Sequence, residues 1–134
     1  MKQLEKVMLI EDDPDIAVLA QIAIEEFGGI QFVHHSSGRD ALPAIGADPP
    51  DLLLLDYRMP GMNGAEVMSA VRETEAGRQL PIVFMTASLM PRHVERLREL
   101  GALDVLAKPF DPLTLAERLK TIWAAHKAES GERE

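Results

Sequence analysis

The chain has 134 residues, no cysteine, and 22 acidic against 14 basic residues, which gives a formal net charge of −8. This length fits one domain, large enough to bury about two-thirds of its unfolded surface without disulfides. The absence of cysteine excludes disulfides, thiolate metal sites and cysteine nucleophiles. The negative charge argues against direct nucleic-acid binding, and no apolar stretch is long enough to cross a membrane or act as a signal peptide. We therefore expect a cytoplasmic protein with protein partners.

Short apolar runs alternate with helical patterns along the chain, an order typical of βα units on a parallel sheet. The predicted strands are Val7 to Ile10, Ile30 to His34, Leu52 to Asp56, Pro81 to Met85 and Leu103 to Ala107. With a helix after each strand, the fold class is α/β with five strands and five helices. We place the domain at residues 1–126 and a polar C-terminal tail at residues 127–134.

The first helix is predicted from its capping residues and its apolar spacing. Asp13 is the expected N-cap, Pro14 the first helical residue, and the pair Gly28-Gly29 the stop. The predicted buried face holds Ile16, Leu19, Ala23 and Phe27.

The remaining helices carry similar signals. Pro43 lies inside the second helical segment, residues 37–45, and predicts a kink or a short helix. Asn63 and Glu66 resemble a capping box for the third helix. The last helix is expected to begin at Pro112 after an Asp111 cap. Inward-facing positions are predicted at Val67, Met68 and Val71 in the third helix, and at Leu115, Leu119 and Ile122 in the last.

Polar residues follow four of the predicted strands. Helical crossovers between parallel strands bring all strand carboxyl ends to one edge of the sheet, where open α/β sheets bind ligands. Asp56 ends the third strand, Glu11 and Asp12 follow the first, Thr86 follows the fourth and Lys108 the fifth. Three crowded carboxylates repel one another unless a cation neutralises them. Mg²⁺ suits such a site, because it takes oxygen ligands and retains waters beside a phosphate.

Each of these residues also has an ordinary structural explanation when taken alone. A single acid after a strand is often a solvated turn residue, a single lysine is usually on the surface, and a single threonine at a strand end needs no role. Their shared edge is what favours a functional site.

Four segments carry a resemblance to a known family. They are Ile10-Glu11-Asp12-Asp13-Pro14, Leu55-Asp56-Tyr57-Arg58-Met59-Pro60-Gly61-Met62-Asn63-Gly64, Met85-Thr86-Ala87 and Ala107-Lys108-Pro109-Phe110. In this order and spacing, the chain resembles a response-regulator receiver domain of the CheY-like family over about residues 5–126. The resemblance implies a flavodoxin-like (βα)5 doubly wound fold, with strand order 2-1-3-4-5.

The resemblance also implies a role for each site residue. Asp56 would accept a phosphoryl group from a phosphohistidine of a sensor histidine kinase or histidine phosphotransfer protein. Lys108 would pair with the phosphoryl oxygens and Thr86 would hydrogen-bond one of them. The implied Mg²⁺ ligands are Asp12 directly, Glu11 through water, Asp56, and the backbone carbonyl of Arg58. Such a protein is a signalling switch that catalyses only its own phosphoryl transfer and dephosphorylation.

One position departs from the family pattern. Receiver domains usually carry an aromatic residue three positions before the lysine, and this residue couples the threonine to the face of helix four, strand five and helix five. Here that position is Val105. Arg58 and Ser88 occupy positions that in the family tune how long the phosphoryl group lasts.

Several alternatives stay open from the sequence. The leading hypothesis is a phosphorylation-dependent signalling switch that acts by binding another protein. The alternatives are a receiver cut from a longer regulator and a phosphorylation-independent pseudo-receiver, against which the complete set of site residues argues. A haloacid-dehalogenase type of hydrolase is disfavoured, because Arg58 stands where that type needs an acid. A weak dimer through helices four and five is left open, and we identify no partner for His93 or His126.

Overall fold

The computed structural model describes residues 3–129 and contains five strands that form one parallel sheet. The strands are β1 (Lys6–Ile10), β2 (Gln31–His35), β3 (Leu52–Asp56), β4 (Ile82–Thr86) and β5 (Asp104–Ala107). The helices are α1 (Pro14–Gln21), α2 (Gly38–Ala47), α3 (Gly64–Arg72), α4 (Pro91–Glu99) and α5 (Leu115–Glu129), and a π-helical segment, Ile22–Phe27, extends α1. The order β2-β1-β3-β4-β5 confirms the predicted fold, with each strand within one residue of its predicted bounds.

The four consecutive leucines of β3 explain how the sheet is buried. Leu52 and Leu54 pack into the apolar layer formed with α1 and α5, whereas Leu53 and Leu55 pack into the layer formed with α2, α3 and α4. All four are fully buried, as expected for a central strand covered by helices on both faces. Each contributes roughly 1.5–3 kcal/mol by leaving water. The central strand therefore holds Asp56 firmly at its carboxyl end.

Capping bonds fix the starts of α1 and α3 as predicted. The Asp13 carboxylate accepts from the Asp15 backbone N–H at 2.9 Å, and Pro14 follows it as the first helical residue. Asn63 and Glu66 form the reciprocal capping box, with both bonds at 2.9 Å. These caps set where each helix leaves the functional edge of the sheet.

The predicted buried face of the first helix is wrong in two places. Leu19 and Phe27 are 47% and 56% exposed. The residues that face the core are Ala17, Ala20, Ala23 and Ile24. The small alanines let α1 approach the sheet closely, and they occupy the face that the larger Leu19 was predicted to take. The wider turns of the π-helical segment begin at Ile22 and change the direction of the residues after it, including Phe27. Gly29 ends the segment with a φ of +68°, as the glycine pair predicts.

Two further helix boundaries differ from prediction. α2 keeps Pro43 inside the helix and ends at Ala47, two residues beyond the predicted segment, so it is not a short helix. Regular helix in α5 begins at Leu115 rather than Pro112, because the chain first makes a tighter turn in which the Thr114 N–H donates to the Asp111 carbonyl.

The C-terminal helix is longer than the sequence indicated. α5 extends to Glu129, so the first three residues of the predicted polar tail, 127–129, are helical, and residues 130–134 lie outside the described residues. Across residues 3–129, none of the helices is both long and apolar enough to cross a lipid bilayer.

Gly28 is required by close packing, and this requirement gives a stability test. A Cβ at Gly28 would clash with the Cβ of Ala116, whereas a Cβ at Gly46 in α2 would meet nothing within 4 Å. We expect Gly28→Ala to lower the free energy of unfolding by about 1–3 kcal/mol through overpacking. The control Gly46→Ala should raise it by about 0.4–1 kcal/mol, because alanine restricts the unfolded chain. Urea denaturation measures both, and equal stabilities would contradict the packing argument.

Candidate functional site

The carboxyl edge of the sheet brings together the five side chains that the sequence placed there. Glu11 and Asp12 follow β1, Asp56 ends β3, Thr86 ends β4 and Lys108 follows β5. The parallel register fixes this grouping, and the Lys108 backbone N–H donates to the Thr86 carbonyl at 2.8 Å. One edge of one sheet thus carries residues that are far apart in the chain.

The three acids form a compact oxygen-donor set. One carboxylate oxygen from each of Glu11, Asp12 and Asp56 lies within 4.8 Å of the others. Glu11 and Asp56 are 1% and 2% exposed, and Asp12 is exposed. Three carboxylates with an open, solvent-facing side fit a hard divalent cation that keeps some of its waters. The donor chemistry therefore fits Mg²⁺.

Lys108 supplies the positive charge of the site. Its Nζ donates to Asp56 Oδ1 at 3.1 Å and to Glu11 Oε1 at 3.2 Å. Burial acts to lower the pKa of Lys108, but the hydrogen bonds to Asp56 and Glu11 outweigh it and raise the pKa. The lysine therefore stays charged beside the two buried acids.

Glu11 is the most strongly perturbed acid of the site. Burial raises its pKa from 4.5 to about 7, against the backbone N–H of Asp13, which donates to Oε2 at 3.1 Å. The negative charge of Asp56 adds to the rise, and Lys108 opposes it. A divalent cation beside Glu11 would favour its charged form and so lower this pKa.

This shift predicts how stability depends on pH when no divalent cation is bound. Folded Glu11 binds its proton more tightly than the unfolded chain does, so stability should fall as pH rises from 4.5 to about 7 and then level off. Glu11→Gln should remove this part of the slope, and the exposed Glu5→Gln should leave it in place. Thermal denaturation in EDTA across this range measures the difference. A Glu11→Gln slope equal to that of the wild type would contradict the shift.

The loop after β3 closes tightly over Asp56. The Gly64 N–H donates to the Tyr57 carbonyl at 2.7 Å, and a Cβ on Gly64 would lie 2.9 Å from the Asp56 carbonyl oxygen. Glycine is therefore required for this close approach. Arg58 lies exposed in the same loop, and the role of its backbone carbonyl in metal binding stays a prediction.

The loop after β1 is held by a histidine from the neighbouring strand. The Nε2 of His34 lies 2.8 Å from the Glu11 carbonyl oxygen. Because a carbonyl oxygen is only an acceptor, Nε2 must carry the proton. This contact, and the bond from the Glu11 N–H to the His35 carbonyl at 3.1 Å, position Glu11 toward the acidic cluster.

Thr86 has a partner that the sequence did not reveal. Its Oγ1 lies 3.3 Å from the Nε2 of His93 in the first turn of α4, and it accepts from the Ser88 N–H at 3.3 Å. The His93 ring also meets the Tyr57 ring edge to face, with centroids 4.9 Å apart. No sequence motif includes His93. The sequence pattern also does not predict the path of the loop that brings α4 close to the sheet edge.

Val105 occupies the usual aromatic position and is 5% exposed within the apolar layer of α2, α3 and α4. An aliphatic side chain there has no ring or hydroxyl to reach the surface. The departure from the family pattern therefore persists in the structure.

A doubly wound parallel sheet with a buried aspartate, two adjoining acids and a lysine at its carboxyl edge defines a receiver domain. The chain belongs to the family of response regulator receiver domains of two-component systems, whose family model matches residues 7–120. Members of this family interact with histidine kinases.

Known relatives agree with this assignment. The transcriptional regulatory protein PcoR of Escherichia coli is 35% identical over 120 residues, which cover 89% of this chain and 51% of PcoR. The chain thus spans about half the length of that regulator.

Solved structures match over the whole domain. The chemotaxis response regulator CheY4 of Vibrio cholerae superposes with a TM-score of 0.81 at 28% identity, covering 89% of this chain and 98% of that one. The receiver domain of a sensor histidine kinase from Pseudomonas aeruginosa PAO1, described with a magnesium ion coordinated in its active site cleft, has a TM-score of 0.78 at 26% identity. It covers 90% of this chain and 98% of its own.

Proposed function

We propose that this chain is a phosphorylation-dependent switch in which Asp56 accepts a phosphoryl group from a phosphohistidine of a sensor histidine kinase or histidine phosphotransfer protein. The observation that carries the proposal is the pairing of buried Asp56 with Lys108 at 3.1 Å beside two further acids. A buried carboxylate with a fixed cation nearby is a nucleophile placed where an incoming anion is also attracted.

The proposed transfer step uses the Asp56 carboxylate as the nucleophile. An Asp56 carboxylate oxygen attacks phosphorus, the new O–P bond forms as the N–P bond to the histidine breaks, and the electron pair returns to the imidazole, which takes a proton. Asp56 needs no activating base, because its carboxylate is the nucleophile. Lys108 would pair with the phosphoryl oxygens as a point charge, and the Thr86 hydroxyl would donate to one of them.

The acidic cluster supports a Mg²⁺ requirement for the proposed reaction. Asp12, Glu11, Asp56 and the Arg58 carbonyl are the residues that would hold Mg²⁺. Bound there, the ion would offset the repulsion between the phosphoryl oxygens and the carboxylates. We propose that the protein acts as a switch rather than as an enzyme on other substrates, catalysing only its own phosphorylation and dephosphorylation.

Modification would add a strongly anionic group at the sheet edge and so change the surface presented to a protein partner in the cytoplasm. The proposal holds whether the receiver stands alone or forms part of a longer regulator. A constitutive interaction module without phosphorylation is the second candidate, and Val105 favours it, because the usual aromatic coupling residue is missing.

The test is intact-mass analysis after incubation with acetyl phosphate and Mg²⁺. We expect one phosphoryl adduct, formed as the Asp56 oxygen displaces acetate from phosphorus. Absence of an adduct would overturn the switch and leave the constitutive module.

A further inference from the structure

The Thr86 hydroxyl is already engaged in the unmodified protein. Thr86 is 4% exposed, its hydroxyl accepts from the Ser88 N–H, and its Oγ1 lies 3.3 Å from His93 Nε2. A threonine hydroxyl has one proton to donate and two lone pairs that accept. Since the Ser88 N–H occupies one lone pair, the hydroxyl keeps one lone pair and its single proton for further partners.

We propose that His93 is a positioning residue: its Nε2 accepts the Thr86 proton in the unmodified state, and a phosphoryl group on Asp56 competes for that same proton. This inference rests on the proposed function, because the competitor is the phosphoryl group. Phosphoryl oxygens are acceptors only, so Thr86 must donate to bind them. It cannot donate its one proton to both partners.

The position of His93 links the change of the Thr86 hydrogen-bond partner to α4 at the protein surface. The imidazole meets Tyr57 edge to face at 4.9 Å, and Tyr57 meets the buried Phe84 in the same way at 6.0 Å. Tyr57 directly follows Asp56, and His93 lies in the first turn of α4. When Thr86 releases His93, the His93 ring keeps its edge-to-face contact with Tyr57. Together, Tyr57 and His93 provide the aromatic link that Val105 lacks.

Reciprocity gives the proposal a measurable consequence. If a phosphoryl group weakens the bond between Thr86 and His93, then removing that bond must strengthen binding of a phosphoryl group by the same factor. This relation holds for equilibrium binding and not for rates, so the probe is beryllofluoride, a noncovalent phosphoryl analogue, titrated in Mg²⁺. A net hydrogen bond corresponds to a factor of about 2–10 in affinity.

The experiment compares four variants by amide NMR titration. His93→Phe keeps a ring against Tyr57 but has no nitrogen acceptor, and should bind beryllofluoride about 2- to 10-fold more tightly than the wild type. His126→Phe, a matched change on α5, should leave the affinity unchanged. In a Thr86→Val background, His93→Phe should have no effect, because the competing hydroxyl is gone.

The possible results distinguish the role of His93 from the proposed phosphorylation-dependent switch. Equal affinity of the wild type and His93→Phe would overturn the role of His93 and leave the switch intact. Tightening that persists in Thr86→Val would also overturn it, since a packing effect would not depend on the hydroxyl. A wild type that binds no beryllofluoride and takes no phosphoryl adduct would overturn the proposed function and this inference together.

Discussion

Asp56→Asn is expected to abolish the phosphoryl adduct that acetyl phosphate and Mg²⁺ form on the wild-type protein. Asparagine has nearly the same shape, and its amide oxygen can still accept from Lys108, which lies 3.1 Å from Asp56 Oδ1. The amide lacks the anionic oxygen that attacks phosphorus, so the loss should be complete while the fold is kept. Intact mass gives the adduct fraction, and circular dichroism checks the fold.

The matched control is Asp40→Asn, which makes the same chemical change at an exposed carboxylate in the first turn of α2. The Asp40→Asn variant should form the phosphoryl adduct to the same fraction as the wild type. An adduct that survives in Asp56→Asn, mapped by peptide mass analysis to Glu11 or Asp12, would show that a neighbouring acid is the acceptor. The assignment of Asp56 would then be wrong even though the site is reactive.

The sequence was sufficient to predict the grouping of the site because parallel topology leaves little freedom. Once β1, β3, β4 and β5 are strands joined by crossovers, their carboxyl ends must share one edge. Asp56 and Lys108 are 52 residues apart, yet their side chains meet at 3.1 Å. The buried leucine run and the capping residues made it possible to predict this grouping, because both patterns depend on residues that are close together in the chain.

The buried side of α1 could not be predicted in the same way. The π-helical segment, Ile22–Phe27, changes the turn by an amount that no local residue signals, and Gly28 approaches Ala116, a residue of α5 distant in the chain. Packing between distant elements decides such details. The contact between His93 and Thr86 could not be predicted for the same reason, because it depends on how the loop before α4 folds back.

The acidic cluster makes Asp12 the residue with the largest expected effect on metal binding. Lys108 bonds to Glu11 and Asp56, both nearly fully buried, whereas Asp12 is exposed on the open side of the cluster. Asp12→Ala should therefore remove a Mg²⁺ ligand without disturbing the core. Loss of an outer partner of a metal ligand typically costs 10–100-fold in affinity, so loss of a direct ligand should cost at least about tenfold.

Titration calorimetry with Mg²⁺ measures this loss, and Asp15→Ala is the matched control, since it removes an exposed acid three residues further along with the same change in charge. If long-range charge alone drew the ion to the site, the two variants would bind Mg²⁺ equally and Asp12 would not be a ligand. If Asp12 is a ligand, its variant alone should lose both Mg²⁺ affinity and the Mg²⁺-dependent adduct on Asp56. Its thermal stability in EDTA should stay within about 0.5 kcal/mol of the wild type, because an exposed side chain supports little of the fold. If Asp12→Ala keeps its metal affinity and still forms the adduct, Glu11 and Asp56 hold the ion without Asp12.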